Sequence, residues 1–119
     1  MGLDTIFHNA AKTVFKVFKD FVHEVQFIRV EDDGFDDETE TALPVEMIVM
    51  SFNAKDVELL SFSKLIQPTD VKGMFRGRSL PNFTPLTTDV VVDDGVTYSV
   101  VAVETDPAKA LWILLLRNT

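Results

Sequence analysis

The 119-residue chain contains no cysteine, which excludes a disulfide framework, a thiolate nucleophile and a cysteine-ligated metal. Histidine is scarce, and His8 and His23 have no third ligand near them in the sequence, so neither is expected to bind a metal or to catalyse a reaction. The motifs of phosphate-binding loops, zinc proteases, α/β-hydrolases and dinucleotide-binding folds are also missing. The sequence therefore predicts a protein that is not an enzyme and has no cofactor and no metal site.

Long apolar runs are missing too. No run reaches the roughly 18 apolar residues that a membrane-spanning helix needs. The first residues, Met1 to Asp4, have neither the basic nor the apolar region of a secretory signal. We therefore expect a soluble protein that is made in the cytoplasm and does not contact a membrane.

Positive charge is in short supply, with 11 basic against 19 acidic side chains and a net charge of -8. Residues 31–60 alone carry ten acidic side chains and one basic one. Proteins that hold DNA through its phosphates normally present a net basic face. Direct binding of nucleic acid is therefore not expected to be the main role.

The most regular pattern lies in the last third of the chain. β-branched and aromatic runs end at Val92 and resume over residues 97–103, on either side of Asp94-Gly95, a strong hairpin signal. After a second turn at residues 105–107, the apolar run of residues 111–116 has the length of a buried strand. These segments predict a three-stranded meander that needs a sheet or barrel to cover it.

One convincing helix is predicted over residues 4–22, with Asp4 as its cap. Its apolar stripe recurs at alternating spacings of four and three residues: Phe7, Ala11, Val14, Phe18 and Phe21. Lysines line one flank. The helix is interpreted as core packing with a solvated flank, or as a helix that also docks on another subunit. Its predicted interface residues are Phe7, Lys12, Lys16 and Lys19.

Two long loops are predicted. The first, residues 31–42, is so dense in carboxylates that it must face solvent, where adventitious divalent binding or ordering against a basic partner stays open. The second, residues 73–87, has two glycines and two prolines but is unusually apolar, and its arginines are candidates to pair with the acidic loop or with phosphate. The predicted interface residues in the loops are Glu31, Asp32, Asp33, Asp36, Asp37, Glu38, Met74, Phe75, Arg76, Arg78, Leu80 and Phe83.

The remaining segments complete a mainly β fold. Residues 22–30 and 43–52 are predicted as strands, the first with a bulge or twist, and residues 57–66 as a helical turn followed by a strand. The sequence predicts one domain over residues 1–119, a small β-barrel or sandwich with one N-terminal helix and long loops. Its β core covers residues 23–72 and 88–117.

The order of turns and apolar runs resembles a known family. Thr88-Asp89, the valine run, Asp94-Gly95, Asp106-Pro107 and the Trp112 strand are similar to the end of the head-tail joining (head-completion) proteins of long-tailed bacteriophages, lambda's among them. The likeness continues upstream in the helix, the strands and the polar loop, and it covers most of the chain as a pattern. The chain departs from that family in its long segment of residues 73–87.

The resemblance implies a ring subunit at the virion neck, made in the bacterial host cytoplasm. Its partners would be further copies of itself, a portal or adaptor protein and a tail or tail-terminator protein, with DNA passing the acidic channel without specific binding. Two alternatives stay open. One is a monomeric OB-like module in which Phe75, Arg76, Arg78 and Phe83 clamp single-stranded nucleic acid. The other is a barrel that holds a ligand in a closed cavity.

Overall fold

Six antiparallel strands close into a barrel in the computed structural model, which describes residues 2–32, 34 and 38–119. Around the barrel the order is β1-β2-β3-β6-β5-β4, and β4 pairs with β1 to close it. The strands are β1 (Val22–Asp32), β2 (Glu38–Ser51), β3 (Val71–Arg76), β4 (Val90–Asp93), β5 (Val96–Thr105) and β6 (Leu111–Asn118). The prediction of a mainly β fold is confirmed, and the barrel is the form it takes.

The barrel is filled by side chains that alternate along its strands: Val25, Phe27, Val45, Met47, Phe75, Val91, Val100, Trp112, Leu114 and Leu116. Aromatic rings fill much of the space. Phe75 meets Phe27 edge to face with ring centroids 5.9 Å apart, and it stacks on Trp112 with centroids 6.4 Å apart. The interior described here is a packed core, an arrangement that does not favour the ligand-holding alternative.

A second apolar cluster lies on the outer face of the barrel. The short helix α2 (Ala54–Leu59) and the 3-10 turn Ser63–Leu65 follow β2, and the segment buries Leu60 and Phe62 against Leu115 of β6. Leu115 is fully buried although its neighbours in sequence point into the barrel. The last strand, predicted as a buried strand, is therefore buried on both faces at this point.

The N-terminal helix α1 (Leu3–Val17) lies against β6, and a 3-10 turn, Lys19–Phe21, continues it to the start of β1. The helix thus ends earlier than residue 22. Asp4 lies inside its first turn, and Gly2 occupies the cap position with no side-chain hydrogen bond, so the predicted Asp4 cap is wrong. An aspartate in the first turn still interacts favourably with the positive end of the helix dipole.

The meander of the last third is confirmed as β4, β5 and β6, with the Asp94-Gly95 turn between β4 and β5. Both turn residues have positive φ, 50° and 81°, as the tight two-residue turn requires. Of the bulge or twist predicted for the first strand, the bulge is absent where β1 pairs with β2, since the two strands pair in continuous register. The irregularity falls in β5 instead, between Val100 and Ala102.

Three predicted segments differ from the structure. Residues 73–76 belong to β3 and not to a loop, because their backbone pairs with β2 and β6. Within residues 57–66 the predicted helical turn is present as the end of α2, but the predicted strand after it is wrong, since a 3-10 turn lies there. The acidic loop is also shorter than residues 31–42, because β1 extends to Asp32 and β2 begins at Glu38.

Candidate interaction surfaces

A concavity of about 460 Å³ lies between the N-terminal helical segment and the end of β3. Its cations are Lys12, Lys16, Lys19 and Arg76, and the three lysines are exposed. One carboxylate, that of Glu46, is part of the same lining. This group of four cations is called the basic concavity below. With one acid against four bases, it carries a local positive charge on a protein whose net charge is strongly negative.

Arg76 gives the basic concavity an unsatisfied donor. Its Nε is buried and has no hydrogen-bond partner among the residues that the structure describes. A buried donor without a partner costs about 1–3 kcal/mol, more for a charged group. An anionic group that enters the concavity would be attracted by the charge of this guanidinium and of the lysine ammonium groups around it.

The other cations divide into two kinds. Arg29, Lys72 and Arg117 form ion pairs with Asp89, Asp56 and Asp70, at 2.7, 2.8 and 2.9 Å. The remaining eight basic side chains have no ion pair among the described residues, and six of them line the basic concavity or the next one. Structural cations are thus neutralised locally, while the free positive charge is concentrated at one region of the surface.

A second concavity, of about 540 Å³, adjoins the same segment and contains Arg78 and Lys109 together with His8, Phe83 and Trp112. The Nδ1 atom of His8 is buried there without a described hydrogen-bond partner. Gly77 lines this concavity, and only glycine fits there, because a Cβ at this position would collide with the carbonyl oxygen of Lys109. The two concavities form a basic region beside α1.

One face of α1 is apolar and exposed. Leu3, Ile6 and Val17 are 70, 52 and 68% exposed, and Ala10 is exposed between them. Their spacing keeps the four side chains within about 60° of one another around a helix. This set is called the apolar stripe below. The adjoining side of the helix packs on the barrel through buried Ala11 and half-buried Phe7, Val14 and Phe18.

At the other end of β1, the first two strands project as a two-stranded ribbon. Residues 30–32 pair only with residues 38–40 among the described strands, since β4 pairs with residues 26–28 and β3 with residues 48–51. Glu31, Glu38 and Glu40 are exposed there, as is the apolar Val30. Residues 30–32 and 38–40 are called the acidic ribbon below. A two-stranded ribbon is marginal in water by itself and has unpaired edges.

The predicted interface residues lie in several different parts of the structure. Lys12, Lys16, Lys19 and Arg76 come together in the basic concavity, and Arg78 and Phe83 in the second one. Phe7 and Leu80 are half-buried, and Leu80 packs against the core with Phe83. Glu31 and Glu38 are exposed on the acidic ribbon, whereas Asp33, Asp36, Asp37 and the side chain of Asp32 lie outside what the structure describes.

The prediction that Met74 and Phe75 are interface residues is wrong. They are 5 and 0% exposed in β3, so neither side chain offers surface to a partner. Phe75 points into the barrel, and Met74, the preceding residue of the same strand, points outward. Their segment looked like a loop because Gly73 and Gly77 flank them, but long-range pairing with β2 and β6 outweighs that local signal.

Sequence reasoning missed the ion pairs that fix the barrel. Arg29 binds buried Asp89 with two hydrogen bonds, of 2.8 and 2.7 Å, and its guanidinium lies 4.1 Å from the centre of the Phe83 ring. Hydrogen bonds from Arg117 hold the pKa of Asp70 below its usual range. No local signal could have found these pairs, because the partners are about 50 to 60 residues apart in the chain.

The fold and these surfaces define a class: a closed six-stranded antiparallel barrel with a helix-flanked basic concavity and a projecting acidic ribbon. Comparison with known proteins finds no family model and no curated protein that matches the chain. Among the described residues, no helix has both the length and the apolar character needed to cross a membrane.

Proposed function

We propose that the chain is a structural subunit of a ring at the neck of a tailed bacteriophage virion, where it joins the portal or adaptor to the tail. The observation that carries the proposal is that two surfaces of opposite charge, the basic concavity and the acidic ribbon, lie far apart on a packed barrel. The basic concavity lies at the start of β1, and the acidic ribbon lies at its end. Ring subunits need two different contact surfaces, since each subunit touches a neighbour on both sides.

Two further features support the proposal. The apolar stripe of α1 leaves large side chains in solvent, as expected of a surface that another component of the neck covers. The net charge of -8 disfavours adhesion of DNA, which must slide through a neck without being held.

The direct test is to follow the chain in virions of the phage that encodes it. We expect antibodies against the chain to label the head-tail junction in electron micrographs, and loss of the chain to leave separate heads and tails. Complementation with Ile6→Asp/Val17→Asp should fail to restore joined particles, whereas Lys55→Asp, a change of an exposed residue away from the helix, should restore them. Normal virions without the chain, or label found elsewhere, would overturn the proposal.

The alternative, a monomeric module that clamps single-stranded nucleic acid, is favoured by the unpaired cations of the two concavities. Phe75 is removed from that clamp because it is part of the barrel core, and Phe83 already packs on Phe27 at 5.2 Å between ring centroids. Titration of the protein with a labelled oligonucleotide at low ionic strength distinguishes the two. Binding that Arg76→Ala and Arg78→Ala weaken, with a steep salt dependence, would favour the module.

A further inference from the structure

We infer that the basic concavity of one copy binds the acidic ribbon of a second copy, so that the chain assembles head to tail. The inference rests on the proposed function in naming the contact between neighbouring ring subunits. It concerns two surfaces that the structure brings into view, the lysine and arginine group beside α1 and the carboxylates of the projecting β-ribbon.

Charge complementarity is the first argument. The basic concavity has three exposed lysines and the buried, unpartnered Nε of Arg76, with Glu46 as its acid. The acidic ribbon presents Glu31, Glu38 and Glu40 to solvent. Carboxylates suit this cavity because each oxygen can accept a hydrogen bond from an ammonium or guanidinium group.

Geometry excludes the same contact within one chain. Val22, at the start of β1, lines the basic concavity, and Glu31 is near the end of the same strand. A strand rises about 3.3 Å per residue, so these ends are about 30 Å apart. Hydrogen bonds to β2 hold β1 along its length, and it therefore cannot fold back on its own start. The ribbon of another copy has no such restriction.

The arrangement also sets the symmetry of the assembly. The two surfaces are different, so the contact is heterologous and leaves one free ribbon and one free concavity at the ends of any short chain of subunits. Such a contact closes into a ring when the rotation between neighbours divides a full turn. Docking would cover the ribbon. Among the described residues, residues 30–32 and 38–40 pair only with each other and with no third strand.

A charge-exchange experiment tests the contact. One variant reverses the ribbon (Glu31→Lys/Glu38→Lys/Glu40→Lys), and another reverses the concavity (Lys12→Glu/Lys16→Glu/Lys19→Glu). We expect the wild type to self-associate in sedimentation velocity at low ionic strength and each variant alone to lose at least about tenfold in affinity. Mixing the two variants should restore association, because each ribbon then meets a concavity of opposite charge. Lys55→Glu/Lys64→Glu is the control, since both lysines are exposed and outside the two concavities, and it should associate as the wild type does.

Cross-linking provides a second measurement that does not depend on affinity. The chain has no cysteine, so Lys16→Cys and Glu38→Cys are the only thiols in the variants that carry them. A disulfide requires Cα atoms within about 7 Å, which one chain cannot provide across the length of β1. In the double variant we expect an oxidised ladder of dimers, trimers and larger species. A mixture of the single variants should give mixed dimers, and Lys55→Cys with Glu38→Cys should not form the ladder.

Several results would overturn the inference: a wild type that stays monomeric, single charge variants that associate normally, a mixture that does not recover, or a double-cysteine variant without a ladder. An oligonucleotide that blocks the ladder by occupying the concavity would assign the site to nucleic acid instead. The outcome is separable from the proposed function. If the chain associates through the ribbon but is absent from virion necks, the contact is supported and the proposed function is rejected. If antibodies label the neck but no ladder forms, the proposed function is supported and the contact is rejected.

Discussion

Arg29 shows how a single side chain fixes both a strand and a loop. It holds Asp89, whose side chain is fully buried, and donates to the carbonyl oxygen of Thr84 at 2.7 Å. Asp89 also accepts a hydrogen bond from the backbone N–H of Leu86 at 2.7 Å. The loop before β4 is therefore attached to β1 through polar contacts, although its sequence predicts only an irregular segment.

We expect Arg29→Met to lower the free energy of unfolding by about 3–5 kcal/mol, because Asp89 would remain buried without a counter-charge. Urea denaturation followed by Trp112 fluorescence measures the change. Arg78→Met is the matched control, since Arg78 is exposed and outside the described ion pairs, and it should stay within about 0.5 kcal/mol of the wild type. Equal effects of the two substitutions would contradict this role of Arg29.

Gly77 is a second position where one atom matters. We expect Gly77→Ala to lower the free energy of unfolding by about 1–3 kcal/mol, because the new methyl group would meet the backbone oxygen of Lys109. Gly2→Ala, where nothing lies within 4 Å, serves as the control and should be nearly neutral. Thermal unfolding of the two variants checks the difference. An unchanged unfolding midpoint for Gly77→Ala would mean that the backbone at Lys109 can move away from the new methyl group without cost.

At the scale of elements, the pairing of β1 with β4 is the shortest contact in the barrel. It joins residues 26–28 to residues 90–92, and an ion pair lies beyond each end. Arg29 and Asp89 are at one end, and His23 and Asp93, with Nε2 and Oδ1 2.7 Å apart, are at the other. The backbone of β1 pairs with β4 over only three residue pairs to close the barrel, and these two ion pairs add side-chain contacts at both ends of that pairing.

His23 gives this closure a pH dependence. The hydrogen bond to Asp93 raises the pKa of His23, so the folded state binds the proton more tightly than the unfolded state. The added stability is present below about pH 6.5, the ordinary histidine pKa, and is lost as the pH rises through the higher folded value. We expect the wild-type urea midpoint to fall across that range by more than the midpoints of His23→Gln and Asp93→Asn. If the urea midpoints of all three proteins changed equally with pH, the ion pair between His23 and Asp93 would not be the cause of the pH dependence.

The acidic ribbon should be dispensable for folding. Replacing residues 31–39 by Asn-Gly joins Val30 to its partner Glu40 through a two-residue turn and leaves every barrel strand in place. We expect the free energy of unfolding to change by less than about 0.5 kcal/mol, because Glu31, Glu38 and Thr39, which are removed, are exposed. Self-association should be lost in sedimentation velocity. A large loss of stability would mean that the ribbon supports the barrel.

The sequence predicted the elements whose signals are local. The hairpin at Asp94-Gly95 and the final strand are read directly from turn chemistry and apolar runs. Strand β3 could not be predicted, because Gly73 within it and Gly77 just after it resemble loop residues and its partners are far away in the chain. The lysines of the basic concavity were identified on the helix flank, but their meeting with Arg76 depends on how the helix packs.

For the whole molecule, the important property is the separation of charge along one axis. Contacts between exposed charges are screened by salt, with a Debye length of about 10 Å at 0.1 M and 3 Å at 1 M. We therefore expect assemblies of the chain to dissociate as salt rises through this range, in light scattering at fixed protein concentration. The unfolding midpoint should change much less, because Asp89 and Asp70 are buried. Association that strengthens with salt would indicate an apolar contact instead.

The length of β1 has one more consequence. If the strand starts at one contact and ends at the next, the number of residues in it sets the repeat distance between neighbouring subunits. Adding two residues to each strand of the ribbon would lengthen that repeat by roughly 7 Å and keep the same faces outward, whereas adding one would turn Glu38 and Glu40 to the side that Glu31 now faces. The pleat of a single strand would then govern the diameter of any ring that these contacts close, in steps of two residues.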